Sequence, residues 1–148
     1  MITCQIEKPD YAELLGYMHY QIADAFPLLR GEARILAFTD KLYTHADFCF
    51  CRDEGRLVGM IAYYANGRGA NFAYIAQGYV SPGYRQAGLY TRMLNEVTND
   101  VKNKGFHEIR LEVVSQNDRS LSCHLRNGFK IMDSDMPNVQ SYFLNKTI

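Results

Sequence analysis

Neither sign of charge is in excess in this chain. Sixteen lysines and arginines balance sixteen aspartates and glutamates, and the basic residues are scattered, so the electrostatic footprint of a nucleic-acid or anionic-membrane binder is missing. Long apolar runs are missing too. The longest, residues 57–65, suits a buried strand and falls far short of the ~20 residues a membrane helix needs. The opening residues 1–8 hold no signal-peptide pattern. Cysteine is sparse, and four of them without a secretory signal predict reduced thiols and a cytoplasmic setting rather than a disulfide framework. Cys49 and Cys51 alternate on a predicted strand and share one face, which reads as packing. The four histidines, His19, His45, His107 and His124, match no metal-ligand spacing, so no metal is predicted.

Also missing are the two best-known phosphate loops, G-x-x-x-x-G-K-[ST] and a G-x-G-x-x-G with its acidic partner. What stands instead is the stretch Gly78-Tyr79-Val80-Ser81-Pro82-Gly83-Tyr84-Arg85-Gln86-Ala87-Gly88-Leu89-Tyr90. An apolar strand ends there at a Pro/Gly turn, and an amphipathic helix follows Arg85. The first turn of a helix has N–H groups with no intrahelical partner and the positive end of the macrodipole, so this order of elements builds an anion cradle. Gly88 serves either close approach of a phosphate or close packing of helix on sheet.

With 148 residues, 47% hydrophobic and 22% charged, the chain reads as one globular domain, 1–148, able to bury a real core. A strand at 2–7 precedes a helix opened by Asp10 and Glu13 in capping-box spacing, with Leu14, Leu15, Met18 and Ile22 as its apolar stripe and Pro27 at its end. A second helix follows Gly31, with Ile35, Leu36, Leu42 and Tyr43 toward the core. A meander of strands at 48–52, 57–65 and 72–80 leads to the cradle. The helix after it repeats Leu89, Met93, Val97 and Val101 on one face. A strand at 109–114, a short helix from Asn117 to Asn127-Gly128, and strands at 130–133 and 139–145 complete the chain. The unit 72–114 is long enough for a parallel crossover, which predicts an α/β (mixed α+β) domain with a six- to seven-stranded, largely antiparallel sheet and about four helices.

Val80-x-Pro82-x-Tyr84-Arg85-x-x-Gly88, followed by Asn117-x-x-Ser120-x-x-x-His124-x-x-x-Gly128-Phe129, resembles the paired signature of the GNAT superfamily of acyl-CoA-dependent N-acyltransferases. The resemblance covers essentially the whole chain and implies middle strands, 72–80 and 109–114, that splay apart to admit acetyl-CoA as cosubstrate. It assigns Gly78, Tyr79 and Val80 to the pantetheine arm, and Arg85, Gln86, Ala87, Gly88, Leu89, Tyr90 and Thr91 to the pyrophosphate. Asn117 would touch the arm from the other side, or serve only as a helix N-cap. A homodimer is compatible with this resemblance.

Three departures from the pattern bear on chemistry. Gln86 replaces a frequent Gly, Tyr90 stands where Gly or Ala is usual and is expected to crowd the first helical turn, and His124 replaces the Tyr that commonly protonates the departing thiolate. His124 is the catalytic candidate: with an ordinary pKa of about 6.5 it can donate that proton, though its helical turn also fits a surface position. The Glu that similar enzymes carry on the strand before the cradle is absent, Tyr74 and Ala76 being the inward candidates; Glu112, a water chain or an amine arriving neutral could stand in. Cys123 beside His124 does not face it on a helix, which argues against a Cys-acyl mechanism. The reading is an N-acetyltransferase acting on a small primary amine, with two alternatives, a non-catalytic acyl-CoA-binding module and a protein-directed acetyltransferase. The acceptor is expected to lie against residues 26–31, the second helix and the link 135–138, with Phe26, Tyr43 and Tyr74 as candidate lining.

Overall fold

Seven strands pair in the order β1-β2-β3-β4-β5-β7-β6, in a computed structural model that describes residues 1–67, 71–132 and 140–148. The strands are β1 (Ile2–Ile6), β2 (Asp47–Asp53), β3 (Arg56–Tyr64), β4 (Phe72–Val80), β5 (Glu108–Val114), β6 (Lys130–Ile131) and β7 (Ser141–Thr147). All neighbours are antiparallel except β4 and β5, which the crossover helix α4 (Leu89–Asn103) makes parallel. The predicted mixed sheet and its crossover are therefore present. The expected acceptor link 135–138 lies outside the described residues.

The β4–β5 pairing lasts only three residues, Phe72↔Glu108, Ala73↔Ile109 and Tyr74↔Arg110. Beyond it β4 stays with β3 as far as Gly59↔Val80, while β5 stays with β7 along its whole length to Val114↔Ser141. The sheet thus parts into two halves, and the splay has a local cause. The register of β3 on β4 slips between Ala62↔Gln77 and Tyr63↔Ile75, which leaves Ala76 as an extra residue. A bulge bends its strand and tightens its twist, and this one sits two residues past the last β5 contact.

Helices cover both faces. On one, α4 buries Leu89, Met93, Leu94, Val97 and Val101 against β-strand residues such as Val58, Ile61, Ile75 and Ile109, each worth about 2 kcal/mol of transfer free energy. Gly59 lets α4 come close, since a Cβ there would lie 3.1 Å from the Met93 methyl. The other face carries α1 (Tyr11–Tyr17), a π-helical turn Met18–Ile22, the short α2 (Ala23–Ala25) and α3 (Glu32–His45). Leu14, Met18, Ile22, Ile35 and Leu42 pack there on Phe48, Phe50 and Met60. The last helix, α5 (Asp118–Arg126), follows β5.

Several details differ from expectation. Asp10 caps α1 as predicted, accepting from the Glu13 N–H at 3.0 Å, but the single helix to Pro27 is interrupted by its π turn. The core stripe of α3 is Ile35, Thr39 and Leu42, at i, i+4 and i+7; Leu36 and Tyr43 sit about 100° round the helix and are each 46% exposed. Helix α4 starts at Leu89, not after Arg85, because Gln86 and Gly88 both take positive φ, 71° and 72°, which a helix cannot continue through.

Reduced thiols throughout are contradicted: Cys4 and Cys51 form a disulfide. They are directly opposed in the β1–β2 register, a relationship that residue spacing does not reveal. Cys49 and Cys123 are free. Bridging a separation of 47 residues is worth about 4 kcal/mol in the chain-entropy account. Alkylation of the denatured, unreduced protein is expected to label two cysteines and, after reduction, four; labelling of all four beforehand would refute the link.

Candidate active site

The carboxyl half of β4 runs along the splay with one edge paired to β3 and the other freed from β5. Gly78, Tyr79 and Val80 lie on this segment. Their strand is pinned at its end twice: the Ser81 N–H donates to Val58 O at 2.8 Å, and Arg85 folds back so that its Nε donates to Val80 O at 2.9 Å. The Arg85 guanidinium also lies over the Tyr79 ring, 5.3 Å from its centroid. Tyr79 in turn meets Tyr17 and Phe26 edge-on at 6.0 and 6.4 Å. The Tyr17 hydroxyl and Ser81 Oγ are 2.8 Å apart, and burial pushes that phenol up to about 12. This contact ties the end of β4 to α1.

Past the strand, residues 85–88 form an exposed loop that enters α4. Among the described residues, no backbone or side-chain oxygen accepts from the N–H groups of Arg85, Gln86, Gly88, Leu89, Tyr90 or Thr91, while Ala87 closes a hydrogen-bonded turn over residues 84–87. That row of donors meets the first turn of a 15-residue helix, the arrangement that receives a diphosphate. A Cβ on Gly88 would meet no atom within 4 Å, so the space in front of the loop is open. The free edge of β4 fits an extended amide-bearing arm and the loop fits its phosphates; the chain's own groups therefore fit acetyl-CoA. Leu89 contributes only its backbone, because its side chain is in the core.

The structure places Tyr90 and His124 differently from expectation. Tyr90 does not crowd the first turn of α4; its ring crosses onto β4, so close that a Cβ on Gly78 would sit 2.8 Å from the ring's Cε2. His124 is not on the surface. It is 7% exposed, wedged edge-on between the rings of Tyr90 and Phe129 at 5.2 and 5.5 Å, with Nε2 2.7 Å from the Tyr90 hydroxyl and Nδ1 2.8 Å from Ser120 O. Burial lowers the imidazole pKa, partly offset by the Ser120 hydrogen bond. Burial also raises the Tyr90 hydroxyl. Asn117 caps α5 by accepting from the Ser120 N–H at 3.1 Å, and so anchors the turn that fixes His124.

Sequence reasoning missed Tyr90 as a partner of His124, although a signal existed: Tyr90, Leu94, Val97 and Val101 form a second stripe at i, i+4, i+7 and i+11. It also missed Gln77, buried two residues before Tyr79, because the bulge at Ala76 shifts the alternation. No carboxylate faces the splay from β4. Glu112 is exposed on β5, and its charge helps, after burial, to raise the Tyr74 phenol. On the helix-α1 side a cavity of about 400 Å³ opens beside Arg30 and Gly31, with His19, Tyr20, Asp24 and Glu32 also in its wall. Tyr43 lies elsewhere, edge-on to Tyr11 at 5.2 Å. Among the described residues, no group of three His, Cys, Asp or Glu could hold a metal, and no helix is long and apolar enough to cross a membrane.

Comparison with known proteins gives the family and the fold. The model of the Acetyltransferase (GNAT) family matches residues 11–129. A spermidine N(1)-acetyltransferase of Thermoplasma acidophilum is 36% identical over 66 residues, which cover 45% of this chain and only 41% of that protein's length. Among solved structures, the PaiA N-acetyltransferase of Thermoplasma acidophilum in complex with coenzyme A aligns at TM-score 0.75 and 21% identity over 99% of both chains. An aminoglycoside 6'-acetyltransferase type Ii aligns at TM-score 0.78 and 17% identity over 96% of both. The two structures share the fold.

Gly88 holds φ at 72°, so its first requirement is conformational, and any L side chain is strained there by about 1–2 kcal/mol. Gly88→Ala is expected to lower unfolding free energy by about 1 kcal/mol in urea titration and Gly88→Asn by less, since Asn tolerates the left-handed region. Equal stability of Gly88→Ala and wild type would show that the loop does not need this conformation.

Proposed function

The chain belongs to the GNAT acetyltransferase family, and on that premise we propose that residues 1–148 are a single N-acetyltransferase domain moving the acetyl group of acetyl-CoA directly to the primary amine of a small molecule. The observation that carries this reading is the edge of β4 freed from β5 running into a row of unpartnered N–H groups, those of residues 85, 86 and 88–91. Gly78, Tyr79 and Val80 receive the arm, as a strand would be received. The loop and helix start, Arg85, Gln86, Ala87, Gly88, Leu89, Tyr90 and Thr91, receive the pyrophosphate. Asn117 borders the arm from the α5 side. A backbone N–H at Tyr79 or Val80 polarises the thioester carbonyl. His124 is the buried titratable group of α5, and the proton of the leaving thiolate is assigned to it.

The acceptor class follows from two supports. The cavity beside Arg30 and Gly31 has Asp24 and Glu32 in its wall, carboxylates suited to a cationic amine, and a relative over part of the chain is a spermidine acetyltransferase. Polyamines are thus the first acceptors to assay. The absence of a carboxylate on β4 favours one competing reading, a non-catalytic acyl-CoA-binding module. The proposed setting is cytoplasmic, with the Cys4–Cys51 link as the observation that this setting has to accommodate.

CoA at about 100 times its dissociation constant is expected to stabilise the fold by about 2.7 kcal/mol, read as a rise in Tm. Release of CoA from acetyl-CoA is expected in the presence of spermidine or a related polyamine. No Tm change at millimolar CoA would remove the cosubstrate assignment; binding without CoA release over a panel of polyamines, amino sugars and amino acids would favour the binding module.

A further inference from the structure

Tyr90 and His124 make the one side-chain hydrogen bond recorded between α4 and α5 among the described residues, and its chemistry can be read from its geometry. A carbonyl oxygen only accepts, so the 2.8 Å contact with Ser120 O puts a proton on His124 Nδ1. In the neutral ring Nε2 is then the acceptor, and the Tyr90 hydroxyl donates to it. The other polar neighbour recorded for the ring is Ser120 Oγ, 3.4 Å from Nδ1. The imidazole also meets the rings of Tyr90 and Phe129 edge-on. At its other end the Tyr90 hydroxyl lies over β4: a Cβ on Gly78 would be 3.0 Å from the oxygen. Gly78 belongs to the segment of β4 that has left β5. The hydroxyl therefore stands over the face of the β4 segment that has left β5, with the imidazole behind it.

We propose, resting on the acetyl-transfer reading above, that Tyr90 is a catalytic residue and His124 its positioning partner, together forming a proton shuttle that takes the proton of the attacking amine and returns it to the leaving CoA sulfur. As the nitrogen lone pair forms the C–N bond at the thioester carbonyl, the nitrogen gains positive charge and gives a proton to the Tyr90 oxygen. The proton already on that oxygen passes to His124 Nε2, leaving an imidazolium. When the C–S bond breaks, its electron pair goes to sulfur; Tyr90 protonates the sulfur, and Nε2 returns its proton to Tyr90. One proton has moved from nitrogen to sulfur, and both side chains end as they began. No further reactant is needed.

The environment suits this cycle. Burial lowers the imidazole pKa, so the ring starts neutral with Nε2 unprotonated and accepting from Tyr90 and, once charged, is a stronger acid. Burial holds the Tyr90 hydroxyl protonated, so the phenol conducts a proton without ionising on its own. The shuttle also answers the absence of a carboxylate on β4, because base and acid become one device on the α4–α5 side. It deepens the earlier assignment of His124, which acts through Tyr90 because its Nε2 is already engaged.

Two measurements test it, one of them on the free protein. In protein labelled with ¹⁵N at histidine, with the His124 resonances identified by their loss in His124→Gln, Nδ1 is expected to be protonated and Nε2 bare at neutral pH, and Tyr90→Phe should shift Nε2 by removing its donor. A proton on Nε2 would overturn the shuttle whatever the activity. In turnover, Tyr90→Phe and His124→Gln are each expected to lower kcat about 100-fold or more with acetyl-CoA affinity unchanged by calorimetry. The double variant should be no slower than the slower single one, since the two act as a unit. Wild-type kcat in Tyr90→Phe, or losses that multiply in the double variant, would overturn the shuttle alone. Wild-type protein releasing no CoA with any amine would overturn the acetyl-transfer reading and the shuttle with it.

Discussion

Everything at the site depends on β4 abandoning β5 after three residue pairs. An unpaired strand edge inside a sheet leaves backbone donors and acceptors that need partners; here Gln77 Nε2 donates to Gly78 O and Arg85 Nε to Val80 O, and no strand among the described residues takes the place of β5. The bulge at Ala76 forces the departure, and full-length pairing of β5 with β7 keeps the other half of the sheet from following. The same bulge changes which side chains of β4 look toward α1 and which toward α4, so it sets the width of the opening and its lining together.

The departure also explains why Tyr90 and His124 meet. In a continuous sheet the side of β4 next to Gly78 would be filled by β5 and the apolar residues above it. Where the strands part, a ring from the start of α4 can lie on the Gly78 backbone and reach α5. Gly78 is required there for space, whereas Gly88 is required for its left-handed backbone. The two glycines of one motif thus answer different physical demands.

A second set of contacts anchors the cradle to the opposite face. Tyr17 on α1 holds Ser81, Arg85 holds Val80 O, and Tyr79 packs among Tyr17 and Phe26. Through these the loop 85–88 and the helical cover of the proposed acceptor side share one strand end, which suits an enzyme that must bring two substrates to one carbon.

Much of this fold was legible in the sequence. The strand at 72–80, the stripe Leu89, Met93, Val97 and Val101, and the Asn117 and Asp10 caps were readable because each is set by local periodicity or by a side chain bonding its own backbone. The paired motif around Arg85 and His124 was readable because its residue types recur at fixed spacings. What depends on two distant segments was not. The Cys4–Cys51 link needs the β1–β2 register, and the exposure of Leu36 and Tyr43 depends on the angle at which α3 meets the sheet. The burial of His124 depends on Tyr90 arriving from another helix. The sequence by itself determined most of the elements and their order, since these follow from propensity and pattern along the chain. Only the tertiary structure decided the bulge-driven splay and the Tyr90–His124 contact, because a register slip and a meeting of side chains 34 residues apart are properties of packing.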